Sequence, residues 1–419
     1  MSNRSRSPKA RAGPDRCPGA ITLHEAQDGP LARVRLPGGR LPAAQLLAIA
    51  EAADRGNGLV DLTSRANVQI RGLRQVGAQE LTASLLAAGL LRSVAHDRAR
   101  NVIASPLAGR HRDAVADTDR ILAALDAAVC ASPELAALPG RFLFALDDGS
   151  GLALDPPADV TLRAASVESF VLDIGGSRAR EPVRAQDAPR IARDAARAFL
   201  RARVAVGSRA WRIAELQDGP ELVARRLGIE LTRRQIGRER VGRDAATAPA
   251  SVLRLGRLVQ RDGRLAFTAL APLGRLDRGM LAGLAALVPE VRLSTRRTVT
   301  LTDVEPDRAG AVAGALEGMG MVLGEDSGWV GLTACAGLGR CPKARVDVRA
   351  AAARRAAVRV AAAPPEHWSA CQRRCGQRAE QEIAVTATPG GPLVVEMGGR
   401  ERAATIDSAL EMLDGAGPR

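Results

Sequence analysis

The stretch LVDLTSRANVQI, residues 59–70, alternates apolar and polar side chains as a half-buried β-strand does. A helical pattern that opens at Gly39-Arg40-Leu41 comes before it. The same order occurs again downstream, where Gly274-Arg275-Leu276 opens a second helical pattern and VRLSTRRTVTL, residues 291–301, follows it. The sequence therefore predicts that one helix-and-strand unit is present twice.

The two copies keep a nearly constant spacing. Their helical openings lie 235 residues apart and their strands 231 apart, so the later connection is four residues shorter. The 231-residue offset then continues, pairing Gly89 with Gly320 and Ala104 with Cys335. Coincidental amphipathic patterns are a poor explanation for one order kept across two units. We therefore predict a duplicated α+β unit with pseudo-twofold symmetry.

Several other segments have clear local patterns. Apolar runs at 142–146 and 152–154 flank DDGSG at 147–151, which predicts a β-hairpin. Residues 188–204 are predicted as a helix and residues 238–249 as a polar linker. Residues 393–396 are predicted as a final strand before a C-terminal helix.

The charge of the chain invites a nucleic-acid interpretation that its composition opposes. The net charge is +14, from 60 basic and 46 acidic residues. Only Lys9 and Lys343 among the basic residues are lysine, and tyrosine is absent, which is typical of coding bias in a GC-rich genome. Aromatic side chains do not interleave with the basic ones, as base stacking would require. We expect an anionic small ligand and no nucleic acid.

Length and hydropathy limit the class of protein. A chain of 419 residues exceeds what one core usually supports, so two to four domains are expected. No apolar run reaches the 18 or more residues of a membrane span. The basic N-terminus lacks the apolar segment of a secretory signal. We expect a cytoplasmic protein that does not enter a membrane.

Four of the six cysteines form two close pairs. Cys335 and Cys341 form a C-x5-C pair, and Cys371 and Cys375 form a C-x3-C pair after a gap of 29 residues. If the second pair lies on a helix, both thiols share one face, about 5–6 Å apart at Cβ.

The spacing of these cysteines leaves three interpretations open. An iron–sulfur cluster suits four thiolates with glycines in the loop, and we favour it. Structural zinc sites more often contain C-x2-C pairs, and disulfides are disfavoured in the cytoplasm. Unrelated buried thiols remain the third interpretation. Cys17 and Cys130 stand apart and are not predicted as ligands.

The cysteine pattern resembles that of the sulfite and nitrite reductase superfamily, which carries a [4Fe-4S] cluster beside sirohaem. Residues 62–69, 100–109 and 138–142 are similar to its arginine-bearing strand, its R-N-V segment and the segment with its anion-binding lysines. The resemblance covers nearly the whole chain from Cys17. It implies two ferredoxin-like half-domains and two lobes of the type that binds a cluster or tetrapyrrole. The implied division begins with a disordered basic tail at residues 1–16. A half-domain at 17–97 and a lobe at 98–240 follow, and then a second half-domain at 250–325 and a cluster-binding lobe at 326–419.

Further segments resemble the branch of this superfamily that forms precorrin-3B in aerobic cobalamin synthesis. These are CPGA at 17–20, RVRLPGG at 33–39, LTSRANVQIRG at 62–72 and HWSAC at 367–371. The resemblance implies a monooxygenase that hydroxylates C20 of precorrin-3A with O2 and closes a ring-A acetate to a lactone. It implies a [4Fe-4S] cluster, a second iron centre and an external electron donor, either NAD(P)H through a reductase or a ferredoxin.

The resemblance also implies site residues. The implied cluster ligands are Cys335, Cys341, Cys371 and Cys375. Arg65, Arg100 and Arg141 match positions that bind the substrate anion or macrocycle carboxylates. Physically, the planar fork of arginine suits carboxylates, of which a corrin precursor bears many. If a haem is present, Cys375 is implied as the sulfur that bridges cluster and haem iron.

One departure favours the oxygenase over a reductase. Where the reductases carry two lysines, this chain has Arg141 and Leu143. An apolar side chain cannot neutralise sulfite or nitrite, nor relay the protons that six-electron reduction consumes. A sirohaem-dependent sulfite or nitrite reductase is therefore the alternative. A nucleic-acid-binding protein with a four-cysteine zinc site is disfavoured by the repeat and by the reductase-like motifs.

The ligands of the second iron are not predicted. That iron is either a mononuclear non-haem centre or, in a reductase, the iron of sirohaem. A mononuclear site usually needs two histidines and a carboxylate. The chain has four histidines, and only His111 and Asp113 form a His-x-Asp pair.

Overall fold

A computed structural model describes residues 15, 17–74, 78–232, 253–360, 363–378, 380–390 and 392–414. The predicted linker at 238–249, and the predicted tail at 1–16 except for Asp15, lie outside these residues. The described chain forms four sheets with helices packed on them, in two half-domains and two lobes.

The first half-domain and the first lobe follow one another along the chain. The half-domain contains β1 (Ala32–Val34), β2 (Arg40–Pro42), α1 (Ala43–Asp54), β3 (Leu59–Leu62), β4 (Val68–Ile70) and α2 (Ala78–Ala87). The first lobe contains β5 (Val102–Ala104), α3 (Asp119–Cys130), β6 (Phe144–Asp147), β7 (Val160–Ala164), β8 (Ser169–Ile174), β9 (Ser177–Arg178), β10 (Val183–Arg184), α4 (Ala188–Ala205) and α5 (Gly219–Leu227).

The second half-domain and the second lobe repeat this order. The half-domain contains β11 (Gly256–Val259), β12 (Leu265–Leu270), β13 (Arg275–Asp277), α6 (Arg278–Leu287), β14 (Glu290–Leu293), β15 (Thr298–Val304) and α7 (Ala309–Gly318). The second lobe contains β16 (Leu332–Ala334), α8 (Val348–Val358), β17 (Glu366–Ser369), β18 (Ile383–Ala387), β19 (Leu393–Met397), β20 (Arg400–Ala404) and α9 (Ile406–Asp414).

The half-domains exchange strands and share one core. β13 pairs with β3, and β2 pairs with β14, both antiparallel. A single cluster of buried apolar side chains includes Leu46 and Ile49 of α1 and Leu281 and Leu284 of α6. Because each half-domain completes the sheet of the other, the apolar faces of both are buried together.

The backbone repeats the predicted symmetry residue by residue. Gly39 and Gly274 have φ values of +66° and +67°, in the left-handed region. Ala66 and Arg297, which are 231 residues apart, have φ values of +54° and +62°. Left-handed backbone is uncommon for residues other than glycine, so a shared occurrence indicates one turn used twice. The predicted duplicated α+β architecture is confirmed.

The two lobes have the same sheet. In the first, β5, β6 and β7 run parallel in that order and β8 is antiparallel to β7. In the second, β16, β17 and β18 run parallel and β19 is antiparallel to β18. Parallel neighbours bring the carboxyl ends of their strands to one edge, where ligand sites commonly form.

Most local predictions hold, but the single strands predicted at 59–70 and 291–301 are wrong. Each segment forms two antiparallel strands, β3–β4 and β14–β15, because left-handed backbone at Ala66 and Arg297 turns the chain between them. The predicted helix at 188–204 is α4, and the predicted strand at 393–396 is β19, with one more strand before α9. The predicted hairpin around 147–151 does not form, because β6 leads into the parallel strand β7. The Asp147 carboxylate accepts hydrogen bonds from the backbone N–H groups of Gly149, Gly151 and Ala153, each at 3.0 Å. These bonds curl the segment into a loop.

Candidate functional site

The four cysteines expected to bind metal lie in two loops at one edge of the second lobe. Cys335 follows β16 directly, and Cys371 lies two residues beyond β17. The Cys335 N–H donates to the Trp368 carbonyl at 3.0 Å, and the Ala370 N–H donates to Cys335 Sγ at 3.2 Å. The parallel pairing of β16 and β17 therefore brings together cysteines that are distant in sequence.

The Cys371–Cys375 pair lies on a turn and not on a helix. The Arg374 N–H donates to the Cys371 carbonyl at 3.2 Å. Arg374 and Gly376 have φ values of +48° and +93°, which a right-handed helix cannot contain. The glycine after the second cysteine and the left-handed arginine before it bend this segment.

The four thiols interact with one another but do not form a site for one ion. Burial raises the pKa of Cys375, and Cys371, Cys335 and Cys341 raise it further. Among the described residues, no three His, Cys, Asp or Glu side chains are placed to hold a single metal ion. Zinc, with Zn–S bonds of about 2.3 Å, requires closer convergence. A cluster places several irons between its thiolates, so its ligands do not have to converge on one ion.

The charge around the thiols also fits an anionic cluster. Burial lowers the pKa of Arg349 to about 10, and nearby Arg275 lowers it as well. Burial lowers the pKa of Arg297 and of Arg340 too. A Cβ built on Gly337, between the first two cysteines, would lie 3.5 Å from Arg349 Cγ. These partly buried cations carry positive charge that an iron–sulfur cluster with four thiolates would balance.

A second group of charged residues forms what we call the arginine pocket: Arg33, Arg35, Arg65 and Arg141, around Cys17. Arg35 is only 2% exposed, and its Nε and Nη1 atoms have no hydrogen-bond partner. Burial, followed by the charge of Arg33, lowers its pKa to about 9. Since an unpaired buried guanidinium is costly, this pocket is suited to an anion.

Arg65 is held in the arginine pocket by its turn. The Thr63 hydroxyl accepts hydrogen bonds from the N–H groups of Arg65 and Asn67, at 3.3 and 3.1 Å. Arg65 Nη1 donates to the Gly140 carbonyl at 3.0 Å. Burial and the charge of Arg212 lower the pKa of Arg65 to about 10. One donor of the Arg65 guanidinium is thus fixed by the Gly140 carbonyl, and little negative charge lies around the group to neutralise it.

Arg141 and Arg100 differ in their availability. Arg141 is exposed, and its guanidinium carbon lies 5.3 Å from the centre of the Trp211 ring, within reach of a cation–π contact. Arg100 is 6% exposed and donates to both oxygens of Asp126, at 2.7 and 2.9 Å, and to the Leu90 carbonyl. The Arg100 fork is therefore already used in an ion pair inside the protein.

Arg33 and Arg35 were not singled out by the sequence as binding residues. They alternate with Val34 in β1 and the segment after it, within the RVRLPGG motif. That motif was a usable signal. The sequence does not show that these two arginines lack an acidic partner. They lack one because the Asp97 carboxylate instead accepts hydrogen bonds from the backbone N–H groups of Ala20 and Ile21.

The histidines do not converge on a second iron. Both ring nitrogens of His96 are hydrogen-bonded, to Ser93 and to the Ser132 carbonyl. His367 bonds Thr333 through Nδ1 at 2.7 Å, and its buried Nε2 makes no well-aligned bond. Burial and the charge of Arg297 lower the pKa of His367 to about 3, so it is neutral. Asp113 N–H donates to His111 Nδ1 at 3.2 Å.

Comparison with known families identifies the repeated unit. Residues 24–88 and 258–319 each match the model of the nitrite/sulfite reductase ferredoxin-like half domain. The two matches coincide with the two strand-exchanged half-domains. Both half-domains are therefore of the nitrite/sulfite reductase ferredoxin-like type. This confirms the family resemblance that its cysteines and arginines indicated.

The individual relatives include a precorrin-3B synthase and ferredoxin–nitrite reductases. The chain is 31% identical over 166 residues to a precorrin-3B synthase from Sinorhizobium sp, in a match that covers 38% of this chain and 35% of the relative. It is 34% identical over 126 residues to a ferredoxin–nitrite reductase from Synechococcus elongatus, covering 28% of this chain and 25% of the relative. The matched regions thus span about a third or less of these curated relatives.

A solved structure shares the whole fold. The NirA protein of Mycobacterium tuberculosis superposes with a TM-score of 0.70 at 18% identity, covering 92% of this chain and 79% of that one. At this identity the likeness concerns the fold alone. No helix in the described ranges is both long enough and apolar enough to cross a lipid bilayer.

Proposed function

We propose that this protein is a precorrin-3B synthase, an O2-dependent monooxygenase that hydroxylates C20 of precorrin-3A and closes the ring-A acetate to a lactone. The observation that carries the proposal is the arginine pocket. Arg35, almost fully buried, offers two unpaired donor atoms, and Arg65 lies nearby. A tetrapyrrole with several carboxylates is the kind of ligand that satisfies such donors bidentately.

Each residue of the arginine pocket has a part in this proposal. Arg65, which is partly exposed, binds a carboxylate of precorrin-3A, and the charge of the nearby buried Arg35 strengthens that contact. Arg141, exposed against Trp211, binds a further carboxylate at the edge of the pocket. Arg100 joins the R-N-V segment to α3 through Asp126, and so positions that segment instead of contacting the substrate. Guanidinium groups stay protonated, so these arginines bind the carboxylates of the macrocycle without transferring a proton.

Cys335, Cys341, Cys371 and Cys375 are the proposed cluster ligands. When bound, a [4Fe-4S] cluster supplies single electrons from an external donor to the iron that activates O2. The chain's contribution is to hold four thiolates at the edge of one sheet and to place partly buried arginines near them. Arg349 and Arg340 contribute to that positive environment.

The position of Leu143 supports oxygenation over anion reduction. Leu143 is fully buried and packs with Ile103, Ala145 and Ala158. The position therefore supplies no cation for sulfite or nitrite and no path for protons. Neutral O2 needs no cation to bind, and its reduction in a monooxygenase consumes fewer protons than the six-electron reduction of sulfite or nitrite.

The experiment that tests the proposal is incubation of reduced holoenzyme with precorrin-3A and isotopically labelled O2, followed by mass spectrometry. We expect a product that has gained one labelled oxygen atom, with the other oxygen released as water. Recovery of unmodified precorrin-3A from protein that carries a full cluster would contradict the proposal.

A sirohaem-dependent nitrite or sulfite reductase is the second candidate. The nitrite reductase relatives favour it, since one is 34% identical to part of this chain. It predicts extractable sirohaem, and consumption of nitrite or sulfite by protein reduced with methyl viologen. The same preparation is used for both assays, so one outcome separates the two candidates.

A further inference from the structure

Arg297 occupies a slot that the fold leaves open for its side chain. A Cβ built on Gly274 would lie 2.5 Å from Arg297 Cδ, and one on Gly376 would lie 3.2 Å from its Nη2. Both glycines have positive φ, at +67° and +93°. A side chain at Gly274 would collide with the arginine, and one at Gly376 would press on it. The Arg297 side chain therefore runs between Gly274 and Gly376, and its guanidinium is the end point of this path.

That end point lies beside the thiol site. Gly376 follows Cys375, and the same built Cβ would lie 3.6 Å from His367 Cε1. In the described part of the chain, no carboxylate forms an ion pair with Arg297. Asp61 favours its charge, but Asp61 already pairs with Arg275 at 2.9 Å. The positive charge of Arg297 therefore has no dedicated partner within the described protein.

We propose that Arg297 is a positioning residue that raises the reduction potential of the cluster held by the four cysteines. The proposal rests on the cluster assignment in the proposed function. Reduction adds one negative charge to the cluster, and a nearby, partly buried cation such as Arg297 stabilises the reduced form more than the oxidised form. Net charge and exposure are among the properties that set cluster potentials.

The symmetry of the chain supplies the comparison. In the first copy, the position of Arg297 is held by Ala66, which carries no charge. The neighbouring Arg296 is exposed to solvent, where its charge is screened. The charge at 297 is therefore a feature of the thiol side of the molecule, and Arg296 is its natural control.

The test is an EPR-monitored redox titration of the holoenzyme for wild type, R297Q, R297K and R296Q. We expect R297Q to lower the equilibrium constant for one-electron reduction about tenfold, which is about 59 mV for one electron. R296Q is expected to change it by less than about twofold, and R297K to retain most of the wild-type value.

Equal potentials for R297Q and R296Q would overturn the proposal. If R297Q does not retain its cluster, R349Q serves as the second variant, because Arg349 packs against the same loops. R349Q is then expected to lower the potential, and an unchanged potential would also overturn the idea. A wild-type protein that binds no cluster would overturn both this inference and the cluster assignment. A bound cluster whose potential does not respond would overturn this inference alone.

Discussion

The two lobes have one sheet topology, yet their loops at the carboxyl ends of the strands are closed in different ways. In the first lobe, buried carboxylates close them. Asp148 accepts from the Gly109 N–H at 3.2 Å and from the Ser150 hydroxyl at 2.5 Å. In the second lobe, the thiols of Cys335 and Cys371 lie at the corresponding edge. The comparison teaches that one sheet topology places carboxylates bonded within the protein at this edge in the first lobe and thiols there in the second.

The largest expected effect comes from removing a thiol in the second lobe. C371A is expected to lose nearly all bound iron and the absorbance near about 400 nm, because the cluster loses a ligand. C130A is the matched control, since Cys130 ends α3 in the first lobe. It should keep its iron. Full iron content in C371A, measured after anaerobic purification, would show that this cysteine is no ligand.

Removing a carboxylate from the first lobe tests the other side of the comparison. D147A leaves three backbone N–H groups without their acceptor, so the free energy of unfolding should fall by about 3 kcal/mol. Urea denaturation measures the change, with E168A, an exposed position in the same lobe, as control. Iron content should not change. A loss of iron in D147A would mean that the first lobe also serves the metal site.

The two repeated turns provide a finer comparison. R65Q removes a donor from the arginine pocket, and R296Q removes the same charge from the corresponding exposed position. Tetrapyrrole affinity, followed by fluorescence quenching, should fall about 10- to 100-fold in R65Q. It should stay nearly unchanged in R296Q. Equal losses in both variants would indicate a general charge effect and would remove Arg65 from the binding site.

The smallest effect concerns the contact between the first lobe and the second half-domain. Burial opposes ionisation of Asp303, but hydrogen bonds from Arg110 and Gln260 outweigh it and lower its pKa to about 2. The folded pKa lies below the ordinary value, so this stabilisation is complete above pH of about 4 and is lost as the pH falls towards about 2. Urea midpoints should therefore fall less in D303N than in wild type between pH 5 and pH 3. Equal decreases in the urea midpoints of D303N and wild type would refute the stabilising role of the ionised Asp303 carboxylate.

The sequence predicts the fold well because duplication leaves a regular trace. The 231-residue offset between Ala66 and Arg297 predicted the repeat, and the structure reproduces it in their backbone angles. The exchange of β2 and β13 between half-domains could not be predicted, since strand partners depend on tertiary packing. The hairpin prediction failed because Asp147 bonds three backbone groups locally, which the DDGSG motif does not reveal.

The candidate site was predictable in part. The cysteine spacing identified four thiols that do lie near one another. The arginine motifs identified Arg65, but they did not reveal that Arg100 is paired with Asp126. Nor did they reveal that Arg35 is buried without a partner. With so many arginines in the chain, only three-dimensional placement separates a cation that needs a ligand from one already neutralised.

The most direct test of the account is metal and sulfide analysis of anaerobically purified wild-type protein, with a visible spectrum of the same sample. We expect about four or five irons and about four sulfides per chain, with broad absorbance near about 400 nm and no sharp haem bands. One zinc per chain and a colourless protein would contradict the central claim that the second lobe holds an iron–sulfur cluster.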